Sequence, residues 1–189
     1  AVMTARSMTL AMMTGGALLV AAPVWSEHAP RFIWNASASL PIGLYSVAPA
    51  TGIAVTDVAI VQPPDELATF LAERGYLPRG VPLLKRVFAL HGDTVCREGR
   101  IIIAYGGRYA VARAHDSRGR PLPVWQGCRT LQDGEVFLMN WDAPDSFDSR
   151  YFGPLPVKTI VGRAIPVWTT DDTDPATDDT SARPADSEP

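Results

Sequence analysis

The chain has 189 residues, of which 47% are hydrophobic and 20% are charged. This composition excludes a generally disordered chain and is sufficient for one domain with a sizeable core. The formal net charge is -3, but residues 169–189 hold seven acidic side chains and one basic, so the rest of the chain has a net charge of about +3. A weak, scattered positive charge argues against a nucleic-acid-binding protein, which would carry a clustered basic stripe.

The first organised segment is an uncharged apolar stretch, MTLAMMTGGALLVAAPVW, at residues 8–25. A stretch of this length is just long enough to cross the hydrocarbon core of a membrane. Trp25 suits an interfacial position and favours a retained transmembrane anchor, whereas the short apolar core and the small residues Ala21 and Ala22 also fit a cleaved signal sequence. Arg6 before the stretch predicts that residues 1–7 are cytoplasmic and that the bulk of the chain is exported.

The rest of the chain has the pattern of a mainly β protein. Short runs rich in β-branched residues alternate with Gly or Pro, which is typical of antiparallel sheets. These runs are GIAVTDVAIV, VPLLKRVFAL, DTVCREGRIII, RYAVARA, GEVFLMN and TIVGRAIPVW. One short helix is predicted within PPDELATFLAERGYL, because Pro63 and Pro64 precede it, acidic residues favour its first turn and Gly75 ends it.

Three further segments follow from composition. Residues 30–168 are predicted to form one domain. Within it, residues 91–134 are rich in Gly, Arg and Pro and are predicted to form an inserted β subdomain. Residues 169–189 consist mostly of Asp, Thr, Ser, Ala and Pro, and this composition predicts a disordered acidic tail.

Cys96 and Cys128 are the only cysteines. They form no CxxC pair and have no neighbouring histidine cluster, so a zinc site is not expected. In an exported chain the two thiols are expected to form a disulfide, with two buried free thiols as the alternative.

Lys85 is informative because lysine is rare in this chain: only two of its 17 basic residues are lysines. It lies in the run VPLLKRVFAL, where a period of two places Leu83, Lys85 and Val87 on one apolar face. Burial disfavours the charged ammonium and lowers its pKa, so a neutral amine can act as a general base, which a guanidinium cannot. The alternative is that Lys85 reaches solvent or pairs with an acid.

The stretch NASASLPIGLY, at residues 35–45, contains two hydroxyl side chains, Ser37 and Ser39. It is either a simple polar turn or the site of a serine nucleophile. The sequence has no GxSxG motif, and its three histidines are poorly placed for a Ser-His-Asp triad. These two serines are therefore the candidates for activation by Lys85, and a turn at Pro41 and Gly43 is expected to fix their direction.

Three blocks together resemble one family. SASLPIGLY, LLKRVFALHGD and DSFDSRYFGPLP followed by IVGRA are similar, in order and content, to the signal peptidase superfamily of Ser-Lys membrane proteases. The first block resembles the TraF branch, the maturation peptidases of conjugative transfer. The resemblance covers residues 35–168 and implies the coiled antiparallel sheets of the signal peptidase fold.

The resemblance also implies roles for individual residues. Ser39 corresponds to the nucleophile and Lys85 to the general base. Ser37 corresponds to a residue that helps the Ser39 backbone N–H to form the oxyanion hole, and Ser146 to a hydroxyl that orients the lysine.

Asp148 and Arg150 correspond to a structural ion pair near the site, and Asp148 is also a candidate for a catalytic part. The chain departs from ordinary leader peptidases at Leu40, where those enzymes have methionine, and in the segment NWDAPDS, where they have GDNRDNS. These departures favour a narrow substrate over general secretory precursors.

The predicted function is that of a membrane-bound serine peptidase, in the inner membrane with its catalytic domain in the periplasm. It would mature a conjugative pilin precursor by cleavage, with head-to-tail cyclisation as one fate of the acyl-enzyme. The alternatives are a general leader peptidase acting on other exported preproteins and an inactive, membrane-tethered β domain that binds an envelope partner. No cofactor, metal or nucleic-acid partner is expected.

Overall fold

A computed structural model describes residues 5–21 and 31–170, with side chains for residues 8–17 and 31–170. The described residues divide into two compact units, 5–21 and 31–170. The first contains helix α1 (Ala5–Ala21), of 17 residues. Within the described residues, no helix has both the length and the apolar character needed to span a bilayer. Residues 22–25 lie outside the described residues, as do residues 171–189 of the tail predicted at 169–189. The prediction of a disordered tail was wrong at its first residue, because Thr169 is the buried last residue of a strand.

The second unit is mainly β, as the alternating runs predict. Its strands are β1 (Phe32–Asn35), β2 (Gly43–Ala48), β3 (Val58–Val61), β4 (Leu83–Ala89), β5 (Thr94–Glu98), β6 (Ile101–Ala104), β7 (Gly107–Val111), β8 (Gly127–Thr130), β9 (Glu135–Leu138), β10 (Leu155–Pro156) and β11 (Ile160–Thr169). Two short helices, α2 (Asp65–Glu73) and α3 (Ser149–Phe152), and a 3-10 turn (Val157–Thr159) complete it.

The strands form two antiparallel sheets. A seven-stranded sheet has the order β1-β2-β11-β3-β4-β9-β10, and a four-stranded sheet has the order β7-β6-β5-β8. The long strand β11 pairs with β2 over one part of its length and with β3 over another, with irregular register in both pairings. Because β11 pairs with both β2 and β3, it joins strands β1 and β2 to strands β3, β4, β9 and β10 in one sheet.

Helix α2 begins and ends where the sequence predicts. It starts after Pro64, whose fixed φ angle suits entry into a helix, and Gly75 follows it with a φ of +67°, a conformation that glycine adopts at little cost. Ala68 and Leu71 are its buried residues, and Leu71 packs into the core of the large sheet. The helix therefore covers one face of the sheet that carries Lys85.

Strand β4 lies between β3 and β9 and shows the predicted alternation. Leu83, Lys85 and Val87 are buried, whereas Leu84 and Arg86 are half-buried. Phe88, near the end of the strand, packs instead in the core under the four-stranded sheet. One strand thus supplies side chains to both cores, and Lys85 lies between Leu83 and Val87 of the first.

Cys96 on β5 and Cys128 on β8 are directly opposite each other in the small sheet, and the structure joins them in a disulfide. Thirty-two positions separate the two cysteines in the sequence. The bond therefore closes the loop that contains β6, β7 and the polar segment after them.

Candidate active site

The loop that carries Ser37 and Ser39 connects β1 to β2 and is folded around one side chain, that of Asn35. Asn35 is 6% exposed. Its Nδ2 donates hydrogen bonds to the carbonyl oxygens of Ser37 (2.9 Å), Leu40 (3.1 Å) and Pro41 (3.0 Å), and its Oδ1 accepts the N–H of Ser37 at 3.0 Å. Since these bonds replace the backbone partners that an irregular loop lacks, Asn35 fixes the loop's shape. The sequence suggests only a turn-forming role for this residue.

Gly43 is needed for a different reason from the predicted turn. The turn lies earlier, where the N–H of Leu40 faces the carbonyl of Ser37 at 3.5 Å, and Gly43 is already the first residue of β2. A Cβ atom at Gly43 would lie 2.1 Å from the carbonyl oxygen of Trp168. Glycine therefore allows β11 to approach the end of the serine loop, and the prediction of a turn at Pro41 and Gly43 was wrong.

The hydroxyl groups of Ser37 and Ser39 are neighbours. Their Oγ atoms are 3.0 Å apart, and the backbone N–H of Ser39 donates to Ser37 Oγ at 3.3 Å. Ser39 is half-buried and Ser37 is exposed. The N–H of Ser39 is therefore directed at Ser37 Oγ in this structure, which keeps these two groups adjacent.

Lys85 is 4% exposed, and its Nζ donates a hydrogen bond to Ser146 Oγ at 2.8 Å. Burial lowers the pKa of Lys85 from 10.5 to about 8; the negative charge of Asp148 opposes this shift and the positive charge of Arg150 adds to it. Among the described residues Lys85 forms no salt bridge. The alternatives of an exposed or acid-paired lysine are therefore wrong for this structure.

Asp148 and Arg150 form a buried ion pair with two contacts of 2.8 Å, from Arg150 Nε and from an Arg150 terminal nitrogen. Their side chains are at most 1% exposed. The Asp148 carboxylate also accepts the backbone N–H groups of Asn140 and Arg150, both at 3.1 Å. Four N–H groups thus occupy this carboxylate, which holds the segment after β9 in place and acts on Lys85 through charge.

Asn140 holds strand β4 on both sides of Lys85. Its Oδ1 accepts the backbone N–H of Arg86 at 2.8 Å, and its Nδ2 donates to the carbonyl of Leu84 at 3.5 Å. Asn140 is 1% exposed and continues the line of β9. It fixes the backbone from which Lys85 projects. In the sequence Asn140 ends the predicted run GEVFLMN and begins the segment NWDAPDS, but neither pattern indicates this contact.

One cavity of about 930 Å³ brings the candidate residues together. Ser37, Ser39, Lys85 and Ser146 all line it. Its other walls include the apolar residues Ile33, Trp34, Leu71, Leu77, Leu83, Leu84 and Phe147. In this structure Lys85 Nζ bonds to Ser146 and the Ser39 hydroxyl lies against Ser37. Catalytic hydrogen bonds are often looser without substrate, so the arrangement is compatible with proton transfer between Ser39 and Lys85.

The polar loop that contains His115 forms another wall of this cavity. Asp116 in this loop accepts hydrogen bonds from Tyr76 (2.5 Å) and from Arg120 Nε (2.7 Å). Arg113 at the start of the loop pairs with Asp145 at 2.6 Å, beside Ser146. These contacts hold the loop to Tyr76 and to Asp145. Its role as a cavity wall could not be predicted from the sequence, because these partners are distant in the chain.

Comparison with known proteins places these observations in a family. The family described as "Signal peptidase, peptidase S26" matches residues 4–169. The chain is 34% identical over 165 residues to a plasmid transfer protein TraF of Escherichia coli, covering 82% of this chain and 91% of that protein. It is 36% identical over 148 residues to a conjugal transfer protein TraF of Agrobacterium fabrum, covering 72% and 82%.

Among solved structures, a signal peptidase I from Enterococcus faecalis is similar with a TM-score of 0.34 and 18% identity. The match covers 58% of this chain and 94% of that one.

Proposed function

Because the chain belongs to the S26 family of signal peptidases and is related to the TraF proteins, we propose that it is a serine peptidase in which Ser39 is the nucleophile and Lys85 is the general base. One observation carries the proposal: a buried lysine with a pKa of about 8 shares a cavity with an adjacent pair of serine hydroxyls. A serine hydroxyl is a weak nucleophile at its own pKa and requires such a base.

The residues suit each step of acyl transfer. Neutral Lys85 removes the proton of Ser39 as its Oγ attacks the substrate carbonyl carbon. The N–H of Ser39, which donates to Ser37 Oγ in this structure, then donates together with Ser37 Oγ to the oxygen that becomes negative. Donors of this kind contribute about 3 to 4 kcal/mol each. Lys85 then gives its proton to the leaving amine as the C–N bond breaks, which leaves the acyl group on Ser39.

The hydrogen bond from Lys85 to Ser146 supports an orienting role for Ser146. It holds Nζ at one place in the cavity wall while leaving the other N–H directions and, after deprotonation, the lone pair available. Because Asp148 is saturated by N–H donors, its place in the mechanism is to position Arg150 and the loop after β9.

The substrate that best fits the relatives is an exported preprotein, and within that class a conjugative pilin precursor, since the relatives are named as plasmid and conjugal transfer proteins. Water attacking the acyl-enzyme releases a trimmed linear chain. The substrate's own N-terminal amine attacking instead gives a cyclic product. Such a substrate places the enzyme at the inner membrane, with its catalytic unit in the periplasm.

A general signal peptidase is the second candidate, because the family that matches the chain is described as a signal peptidase. A general signal peptidase would use the same residues and would differ only in its substrate. The two candidates are separated by which precursor is trimmed, not by the chemistry of the site.

The experiment is an intact-mass measurement on a candidate pilin precursor co-expressed with the wild type, with Ser39→Ala or with Ser46→Ala. Ser46 is a matched control on β2 that does not line the cavity shared by Ser39 and Lys85. A product one water lighter than the trimmed linear chain, made with wild type and Ser46→Ala only, supports a cyclising peptidase, and a trimmed linear product supports hydrolysis. A product that persists with Ser39→Ala contradicts the assignment of the nucleophile.

A further inference from the structure

Ser39 lies between two cavities. The second one has a volume of about 350 Å³ and is lined by Ala38, Ser39, Leu40, Pro41, Ile42, Arg86, Asn140, Asp142, Ala143 and Thr170. Of the described residues, Ser39 is the only one that lines both cavities. A peptide whose scissile carbonyl lies at Ser39 therefore has room on either side of that bond.

Strand β4 supplies a charged residue to each cavity. Lys85 lines the large cavity and Arg86 the small one, because successive side chains of a strand point to opposite faces. Arg86 is half-buried, and its guanidinium lies 5.3 Å from the centre of the Trp141 ring. Within the described residues its side chain has no acidic partner.

The two cavities differ in chemistry. Apolar side chains make up much of the wall of the large cavity, which suits the apolar segment that precedes a signal peptidase cleavage site. The large cavity also carries charged side chains, but its acids Asp116 and Asp145 are each paired with an arginine. The small cavity instead holds Arg86 and Asp142, which do not pair with each other within 4.0 Å. It suits a polar segment, such as the residues that follow the scissile bond.

We propose that the small cavity binds the segment that follows the scissile bond and that Arg86 selects a carboxylate side chain there. This inference rests on the proposed peptidase function and adds the leaving-side specificity of the same site. After acyl transfer the leaving segment departs from this cavity with its new amine protonated by Lys85, and water or an incoming amine then takes its place.

Arg86, and not Asp142, sets the preference for charge. Asp142 is exposed, so water and salt screen its carboxylate. The Arg86 guanidinium is half-buried and stacked on an indole, which keeps its planar set of donors ordered for a two-point contact with a carboxylate. The local field at the cavity is therefore expected to favour an anion over a cation.

The test measures peptide binding to the Ser39→Ala protein, so that the result does not depend on cleavage. The probes are N-acetylated, C-amidated peptides with Leu-Val-Ala-Ala before the scissile position and Glu, Gln or Lys at the first or second position after it. A reference peptide ends at the alanine and occupies only the large cavity. Dissociation constants are measured by calorimetry with Arg86 intact, and with R86Q, R86K and D142N.

At one of the two positions, Glu is expected to bind about tenfold more tightly than Gln, and Lys more weakly than Gln. The Glu-to-Gln ratio should fall to about one in R86Q, keep part of its value in R86K, and be retained or raised in D142N. Because each ratio compares two peptides on one protein, a general loss of affinity or stability in a variant cancels.

A ratio near one with Arg86 intact, while the reference peptide binds, overturns the inference and leaves the peptidase proposal standing. A ratio that persists in R86Q also overturns it. Failure of every probe, including the reference peptide, removes the support for both the inference and the proposed function.

Discussion

At the scale of single residues, the ammonium of Lys85 sets the pH behaviour expected of the site. Its pKa is lowered to about 8, chiefly by burial, so the neutral base forms as the pH rises through that value. We expect kcat/KM to rise with pH to a plateau above about pH 8, whereas an unshifted lysine would place the rise near 10.4. A profile that stays flat from acid to strongly alkaline conditions would contradict a lysine base.

Lys85→Arg is the matching substitution, because it keeps the positive charge but cannot lose its proton at these pH values. We expect at least a thousandfold loss of kcat/KM at every pH, measured on any precursor that the wild type trims. Near-normal processing by Lys85→Arg would exclude the neutral-amine mechanism.

The same burial destabilises the fold at neutral pH. Below about pH 8, both the folded and the unfolded states bind the lysine proton. The lowering of the Lys85 pKa from 10.5 to about 8 then means that the charged lysine destabilises the folded state by about 3 kcal/mol. Between those two values the unfolded state binds more protons, so stability rises with pH.

Lys85→Met is therefore expected to raise the free energy of unfolding at pH 7 by about 1 to 3 kcal/mol, after the loss of the bond to Ser146 is included. The gain should shrink toward pH 10. Denaturant melts at the two pH values measure it, with the exposed Lys158→Met as the control. A stability that falls at pH 7 would mean that burial of the ammonium is not the dominant effect.

The candidate site could be predicted only in part from the sequence. The positions of Ser39 and Lys85 follow from motifs, and the structure places them in one cavity. Asn35 and Asn140 could not be predicted in the same way, since their effect lies in hydrogen bonds to backbone groups whose positions depend on the folded chain. The residue type alone does not indicate whether an asparagine is buried or exposed.

At the scale of elements, the predicted runs contain seven of the eleven strands among the described residues and omit β1, β2, β8 and β10. Strand β8 is exposed along its whole length and β10 has only two residues, one of them a proline. Periodicity reports burial on one face of a strand, so edge pairings of this kind leave no pattern. Strands β1 and β2 were likewise not predicted, because the segment between them is dominated by turn-forming residues.

Gly43 tests the contact between β2 and β11. A methyl group there would lie 2.1 Å from a backbone oxygen that cannot move without separating the two strands. We expect Gly43→Ala to lower the free energy of unfolding by at least about 2 kcal/mol and to disturb the serine loop that precedes it.

The control is Gly107→Ala, where a Cβ atom would meet its nearest neighbour at an ordinary 3.6 Å. Equal stability losses for Gly43→Ala and Gly107→Ala, by thermal or denaturant unfolding, would show that the close approach to β11 is not what Gly43 provides.

At the scale of the whole β unit, residues 31–170, the small sheet supports the segment that carries the Asp148–Arg150 pair. The buried Arg97 of β5 donates to the carbonyl of Arg150 at 2.5 Å, and Trp125 donates to the carbonyl of Ser149 at 3.1 Å. Arg97 follows Cys96 directly, so the disulfide holds the strand from which this contact is made.

Removing the disulfide is expected to destabilise the unit. The double variant Cys96→Ser, Cys128→Ser should lose about 3 to 4 kcal/mol of unfolding free energy, because the unfolded chain regains the entropy of a loop of about 30 residues. Denaturation of the wild type in oxidising and in reducing buffer provides the control. An unchanged midpoint in all samples would mean that the two thiols are not joined in the purified protein.

The measurement that tests the central claim most directly is the titration of Lys85 itself. The chain has only two lysines, so a protein labelled with carbon-13 at lysine Cε gives two signals, and Lys158→Arg assigns them. We predict that the Lys85 signal titrates near pH 8. A Lys85 signal that titrates near the unperturbed lysine pKa of about 10.4 would contradict a neutral lysine base that activates Ser39.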